Sequence, residues 1–290
     1  MAKFHVGEVD DGKLYQPDNY AGHSEGYRRL DLIDHTTSGS SVHMGVGLVE
    51  IAARGGHEPV VNAFEKGFYV LSGEMVLNFH GRAHLLSEGH YGVIQKGVQY
   101  TFHNPGKSPA RMFDMNAPQP KPLDHDFKDI IFQPGEIVKT AEPVNLGDPR
   151  VKFLGFYPNQ EITDTATSIS AVGVRSHSID GIVVKELIDR MLGAHHLALF
   201  LVQFQPGGMG TSHDHPLEET YFILSGKART KLDGQEFIVG AGQYVWTGVG
   251  CFHEFECIGD EPVRWIETQA PLPTDFETFR FRREWDPLSA

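Results

Sequence analysis

The sequence has 290 residues, with 38 acidic against 25 basic side chains and a formal charge of −13. That length allows two medium domains or one large one, and 40% hydrophobic with 22% charged residues excludes wholesale disorder. It holds no run of 18 apolar residues, no apolar core of leader length in the start MAKFHVGEVDDGK and no basic stripe, so no membrane, no export and no nucleic acid partner are expected.

A small-molecule partner is expected instead. Abundant glycine (32) and proline (17) fit many short strands joined by turns. Such a pattern runs from Phe68 to Asn104. The stretch from Pro118 to about Pro143, opening APQPKPLDHD, reads as a link. Residues 144–196 are expected to wrap or precede a second β unit. Within them, KELIDRML (185–192) is the best helix candidate. LALFLVQF (197–204), TYFILSG (220–226) and QYVWTGV (243–249) then read as strands bounded by Gly, Pro or Asp-Gly. Asp233-Gly234, between KARTKL and QEFIV, is a hairpin signal. The charged, aromatic tail 274–290 is expected to pack on the neighbouring unit.

Cys251 and Cys257 lie six positions apart in a strand-like segment. An extended segment of that length spans about 20 Å, too far for a disulfide. Two reduced thiols in a cytoplasmic protein are expected.

The chain repeats itself at a constant offset of 153, the distance from Ser72-Gly73 to Ser225-Gly226. Gly89 falls on Gly242, Tyr91 on Tyr244 and Gly97 on Gly250. Ala117-Pro118 falls on Ala270-Pro271, and Pro120 on Pro273. One β domain has been duplicated. The expected fold class is all-β, two tandem barrels with little helix. The expected domains are 1–117, a lead-in at 118–196, and 197–290.

His213, His215 and Glu219 lie close together in one short stretch, and His253 follows a glycine-rich hairpin region. Residues i and i+2 of a strand share a face, so the first two imidazoles can point together into a barrel. A bend at Pro216 can return Glu219 to that face, and His253 arrives from another strand. Three imidazoles and a carboxylate suit one divalent transition metal among Mn, Fe, Ni, Co, Cu and Zn. Four protein ligands on a six-coordinate ion leave two positions for water, dioxygen or substrate.

The spacing Gly207-x5-His213-x-His215-x3-Glu219-x6-Gly226, continued as Gly226-x15-Gly242-x5-Gly248-x-Gly250-x2-His253, resembles the two signature motifs of the cupin superfamily. Gly248 stands where the second motif usually has proline, and Cys257 where it usually has asparagine. The resemblance implies a conical barrel per unit, with His213, His215, Glu219 and His253 as ligands in the second. The equivalent positions upstream are Val60, Asn62, Lys66 and Tyr100, so the first barrel is expected to hold no metal.

The whole chain also resembles the (S)-ureidoglycine aminohydrolase bicupins, through TYFILSG, QYVWTGVGCFHEF and an intact second cupin beside a metal-free first one. That family is manganese-dependent and uses Glu, His, His and Gln as ligands. This sequence departs from that set at all but one position.

The expected activity is metal-dependent chemistry on a small polar substrate bearing a carboxylate, keto or ureido group. Lewis-acid hydrolysis, elimination or isomerisation is one form. Iron-dependent dioxygenation cleaving a C–C bond is another, and non-catalytic binding or storage a third. Tyr221, or a loosely held Glu219, is the candidate for moving a proton. Alternation places Tyr221 and Ile223 beside Glu219, and Cys251 and Phe255 beside His253. Gln203 and Gln205 are further candidates, and Arg229 or Lys231 is a candidate anchor for a substrate carboxylate. Exposed strand edges predict a homodimer or higher homo-oligomer.

Overall fold

The computed structural model describes residues 3–36, 41–121, 128–138, 140–163, 179–272 and 280–281. Three one-turn 3-10 segments are the only helical elements among the described residues; nearly everything else is strand. Two sheets, one per half, curl into two barrels.

The C-terminal sheet is built on the long strand Ala198–Asp214. Val263–Ala270 pairs with its first half and His253–Cys257 with its second. Glu218–Ser225 lies between Val263–Ala270 and Gln243–Thr247. Lys227–Leu232 and Gln235–Gly240 form the expected hairpin. Its turn residues Asp233 and Gly234 have φ of 45° and 88°, the left-handed pair that such a tight turn requires.

The N-terminal sheet repeats this plan around Gly45–His57, which pairs with Ala110–Ala117. Glu65–Ser72 lies between Ala110–Ala117 and His90–Ile94.

The helix expected at 185–192 is not formed. Lys185 to Ile188 end the strand Ile179–Ile188, paired with Leu199–Leu201. This strand is the counterpart, two residues beyond the repeat offset, of Ser24–Ile33, which pairs with Gly45–His57 in the same way. Leu187 and Ile188 are buried in the interface between the barrels. Tertiary pairing thus overrides the helical spacing of KELIDRML.

Each half lends a strand to the other barrel. Phe4–Glu8 adds to the edge strand Gln243–Thr247 of the C-terminal sheet. Leu154–Phe156 adds to His90–Ile94 of the N-terminal sheet. Both junctions use one packing device. Gly7 faces Tyr244, where a Cβ would lie 2.3 Å from the ring, and Gly155 faces Tyr91, where it would lie 2.2 Å away. Only glycine leaves room for the tyrosine. Ile130–Phe132 and Glu142–Pro143 also pair with the N-terminal sheet.

Three apolar clusters follow from strand alternation. Tyr221 and Ile223 point into the C-terminal barrel, while Phe222 between them points to the interface of the barrels. There Phe222 meets Phe113 with ring centroids 5.7 Å apart. The tail read as packing on the neighbouring unit lies outside the described residues, except for Arg280 and Phe281. Those two pair with Asp214 and His213.

Candidate metal centre

His213 and His253 sit directly opposite each other on antiparallel strands. A register shift between Gly210 and His213 puts them there, because it resets which residues oppose across the ladder. His215 follows the end of the same strand, and the chain bends back through Pro216. Glu219 then begins the next inward face, opposite Thr247 and Gln269. The Gly250 N–H donates to the His215 carbonyl at 3.1 Å and ties the two motif loops together.

The three imidazoles bring donor nitrogens within 4.8 Å of one another. Glu219 Oε2 lies 2.7 Å from His215 Nε2 and 3.4 Å from His253 Nε2. The three histidines named from the sequence therefore form one cluster, and Glu219 stands against two of them.

The donor set fits a divalent transition ion. Each ring contacts a backbone carbonyl through Nδ1: His213 that of Thr211 at 2.8 Å, His215 that of Leu217 at 3.0 Å, His253 that of Cys251 at 3.0 Å. A carbonyl only accepts, so each Nδ1 carries a proton, and Nε2 is the ring nitrogen left to face an ion. Such second contacts fix tautomer and ring orientation in metal sites. Three imidazole nitrogens with one carboxylate oxygen are ligands for Mn, Fe, Ni or Zn alike.

Burial, reinforced by neighbouring His253, pushes His213 down to about 3. Burial opposes charge on Glu219, but the His215 imidazole outweighs it and holds the carboxyl well below its usual range. The Tyr221 hydroxyl donates to Glu219 Oε2. Burial and then the Glu219 charge keep that phenol protonated. Gln269 Nε2 donates to Glu219 Oε1 at 2.7 Å. Glu219 is thus gripped on both oxygens, and Tyr221 stands as its positioning partner.

Beside the histidines opens a cavity of about 200 Å³. Phe200, Val202, Phe204, Phe255, Trp265 and Ile182 form its apolar walls. Glu267 and Gln269 line it too, and sequence reading passed over both. Trp265 Nε1 donates to Glu267 Oε2 at 3.1 Å. Burial and the nearby Glu219 charge push Glu267 up to about 8. A signal was available: Trp265, Glu267 and Gln269 alternate along one strand, and their equivalents in the first unit of the repeat include Asp114 and Asn116.

Other expectations need correction. Arg229 and Lys231 point outward, alternating with buried Ala228, Thr230 and Leu232. Arg229 pairs with Glu256 at 2.7 Å on the surface, so neither cation can anchor a substrate in the barrel. Gln203 is fully buried and holds both backbone groups of Ile162, at 2.8 and 3.0 Å. Its role is structural. Cys251 and Cys257 are free and buried.

The two motif departures have local reasons. Gly248 N–H donates to the Lys3 carbonyl at 2.8 Å. Proline has no N–H and would lose this bond to the lent N-terminal segment. In the first barrel Asn104 Nδ2 donates to the Ser108 carbonyl at 2.8 Å. At its equivalent, the Cys257 thiol donates to the Glu261 carbonyl at 3.3 Å, keeping a weaker form of the same loop tie.

In the first barrel the four ligand positions are spent on other bonds. Asn62 Nδ2 donates to the Tyr100 hydroxyl at 2.9 Å. Lys66 is buried in an ion pair with Asp114, which Arg29 also contacts. Val60 is core. His57 is a satisfied core histidine: Nδ1 meets the Glu58 carbonyl at 2.8 Å, and Nε2 accepts from the Phe102 N–H at 3.0 Å.

A family model described as Cupin domain matches residues 47–116 and 200–268, once in each barrel. Among curated proteins, polyketide synthase CurC of Streptomyces cyaneus is 29% identical over 82 residues, 28% of this chain and 53% of that protein. The chain thus spans about half the length of that relative. Among solved structures, a glyoxylate-induced protein of Pseudomonas aeruginosa superposes with a TM-score of 0.65 at 17% identity, covering 98% of this chain and 93% of the other. An oxalate decarboxylase of Lactobacillus farciminis, in complex with formate, gives 0.63 at 16% identity, covering 98% and 90%. At these identities what is shared is the fold. No helix among the described residues is long and apolar enough to cross a membrane.

Proposed function

The chain is a bicupin, two cupin domains in tandem, and from this premise we propose that its C-terminal barrel is a mononuclear metal centre that catalyses a reaction on a small molecule. His213, His215, Glu219 and His253 are its ligands. The observation that carries the reading is the common ring orientation: three Nδ1 atoms sit on backbone carbonyls, which turns three Nε2 atoms to face an ion, two of them within 3.4 Å of the Glu219 carboxylate. When bound, a divalent ion there supplies Lewis acidity that polarises a substrate oxygen.

The chain's own residues supply the rest. Tyr221 and Gln269 hold the Glu219 carboxylate in place. The aromatic walls exclude water and orient the substrate body. Glu267 faces the cavity as a group able to hold or pass a proton, a role that replaces the one expected of Tyr221. The first barrel contributes fold, a lent strand and the interface. The exposed strand edges support the further proposal of a homodimer or larger homo-oligomer.

The test is metal content after expression without a nickel column, paired with His215→Ala. About one ion per chain, lost in a folded His215→Ala variant, is expected. Wild-type protein that stays metal-free after exposure to Mn, Fe, Ni and Zn contradicts the reading.

A further inference from the structure

The charge on the cavity wall deepens this reading. Three carboxyl groups line the cavity, those of Glu186, Glu219 and Glu267, and among the described residues no lysine or arginine does. A carboxylate substrate entering it would meet carboxyl groups and find no fixed cation besides the ion itself. Desolvating a second, unpaired negative charge in such a space is costly. The apolar faces of Phe200, Phe255 and Trp265 reward a flat ring or conjugated system instead. A volume of about 200 Å³ is that of about seven waters, at about 30 Å³ each, which fits a single ring with short substituents.

The first barrel shows that this chain can build the opposite arrangement. Val184 opposes Val202 as Arg29 opposes Val49, so Val184 corresponds to Arg29; Phe200 corresponds to Gly47 and Glu219 to Lys66. A Cβ at Gly47 would lie 2.7 Å from an Arg29 guanidinium nitrogen, so the missing side chain is what admits the arginine. The second barrel fills that space with a phenyl ring and supplies no cation.

Resting on the metal-centre reading above, we propose that the second barrel takes an uncharged, flat, conjugated or aromatic molecule. It presents an enol, phenol or keto oxygen to the histidine end, and small dicarboxylates are excluded. Of the substrate groups expected from the sequence, the carboxylate class drops out.

Catechol and oxalate are both bidentate oxygen ligands and differ in body and charge, so they make the test. Zinc-loaded full-length protein, its zinc content measured first, is titrated with each by calorimetry. Catechol is expected to bind at least tenfold more tightly. Oxalate binding as tightly as catechol, or more so, overturns the proposal. Metal-free protein is titrated in parallel with phenol and with acetate, read by tryptophan fluorescence, since Trp265 lines the cavity. Phenol is expected to change the signal and acetate to leave it unchanged; a phenol-silent protein also overturns the proposal. Should zinc fail to bind, the metal-centre reading falls, and the phenol and acetate arm alone decides the cavity's preference. Copying the first barrel with Val184→Arg and Phe200→Gly together is expected to narrow the preference for catechol by tenfold or more.

Discussion

Glu65 and Glu218, equivalent positions of the repeat, perform the same task on opposite halves of the molecule. Glu65 accepts from the backbone N–H groups of His195 and His196, at 2.9 to 3.1 Å. Glu218 accepts from those of Val42 and His43, at 2.8 and 3.3 Å, and from the Ser41 hydroxyl at 2.8 Å. The donors are themselves equivalent at the repeat offset, so the barrels clasp each other about a local pseudo-twofold axis. Both carboxylates are buried. Removing either leaves buried N–H groups unsatisfied, which costs about 1–3 kcal/mol. Glu65→Ala and Glu218→Ala are each expected to lower urea stability by that amount, with Glu218→Ala, which loses more partners, the larger. A loss below about 0.5 kcal/mol, the range of ordinary surface substitutions, would contradict the clasp.

The asymmetry between the barrels separates metal from stability. His213→Ala and His253→Ala are expected to abolish metal binding in folded protein. Lys66→Met is expected to leave metal content unchanged. It leaves Asp114 with Arg29 as its one remaining cation, so the loss is expected to fall below about 3–5 kcal/mol, the cost of a buried charge left wholly unpaired. Elemental analysis and urea denaturation of the same three variants check both statements.

His57 gives a pH dependence with a fixed sign. Burial pushes its pKa from 6.5 to about 4 in the folded protein. The unfolded chain takes up the proton at higher pH than the folded one, so this contribution to stability is full above 6.5. It is lost as pH falls from 6.5 to 4, by up to about 3 kcal/mol. Urea midpoints at pH 7.5, 6 and 4.5 should fall in that order. His57→Gln should flatten the trend, and an unchanged slope in that variant contradicts the assignment.

The thiols should be silent until the protein opens. Cys251 is buried, and burial pushes its thiol up to about 12. The thiolate is the reactive form. Iodoacetamide at pH 8 is expected to label neither Cys251 nor Cys257 in native protein and both in urea, as read by mass spectrometry.

The fold was legible because the duplicated glycines and the two histidine motifs sit at fixed spacing. The misread helix lay where local spacing and the repeat disagreed. The repeat does not carry straight through it, because Ile179–Ile188 matches Ser24–Ile33 two residues beyond the offset that holds elsewhere. The strand lent by Phe4–Glu8 had no local signal, because its partner Gln243–Thr247 lies near the other end of the chain. The ligands were readable for a physical reason: a metal site needs particular residue types at particular faces. Arg229 and Lys231 misled because strand parity depends on where a strand begins. Glu267 was missed because a single acid in an apolar strand carries no motif.

The most direct test of the account is anomalous diffraction from crystals loaded with zinc, collected above and below the absorption edge. The account predicts one site per chain, bonded to the Nε2 atoms of His213, His215 and His253 at about 2.0–2.1 Å. No peak among these side chains, or a peak in the first barrel beside Lys66 and Tyr100, would contradict it.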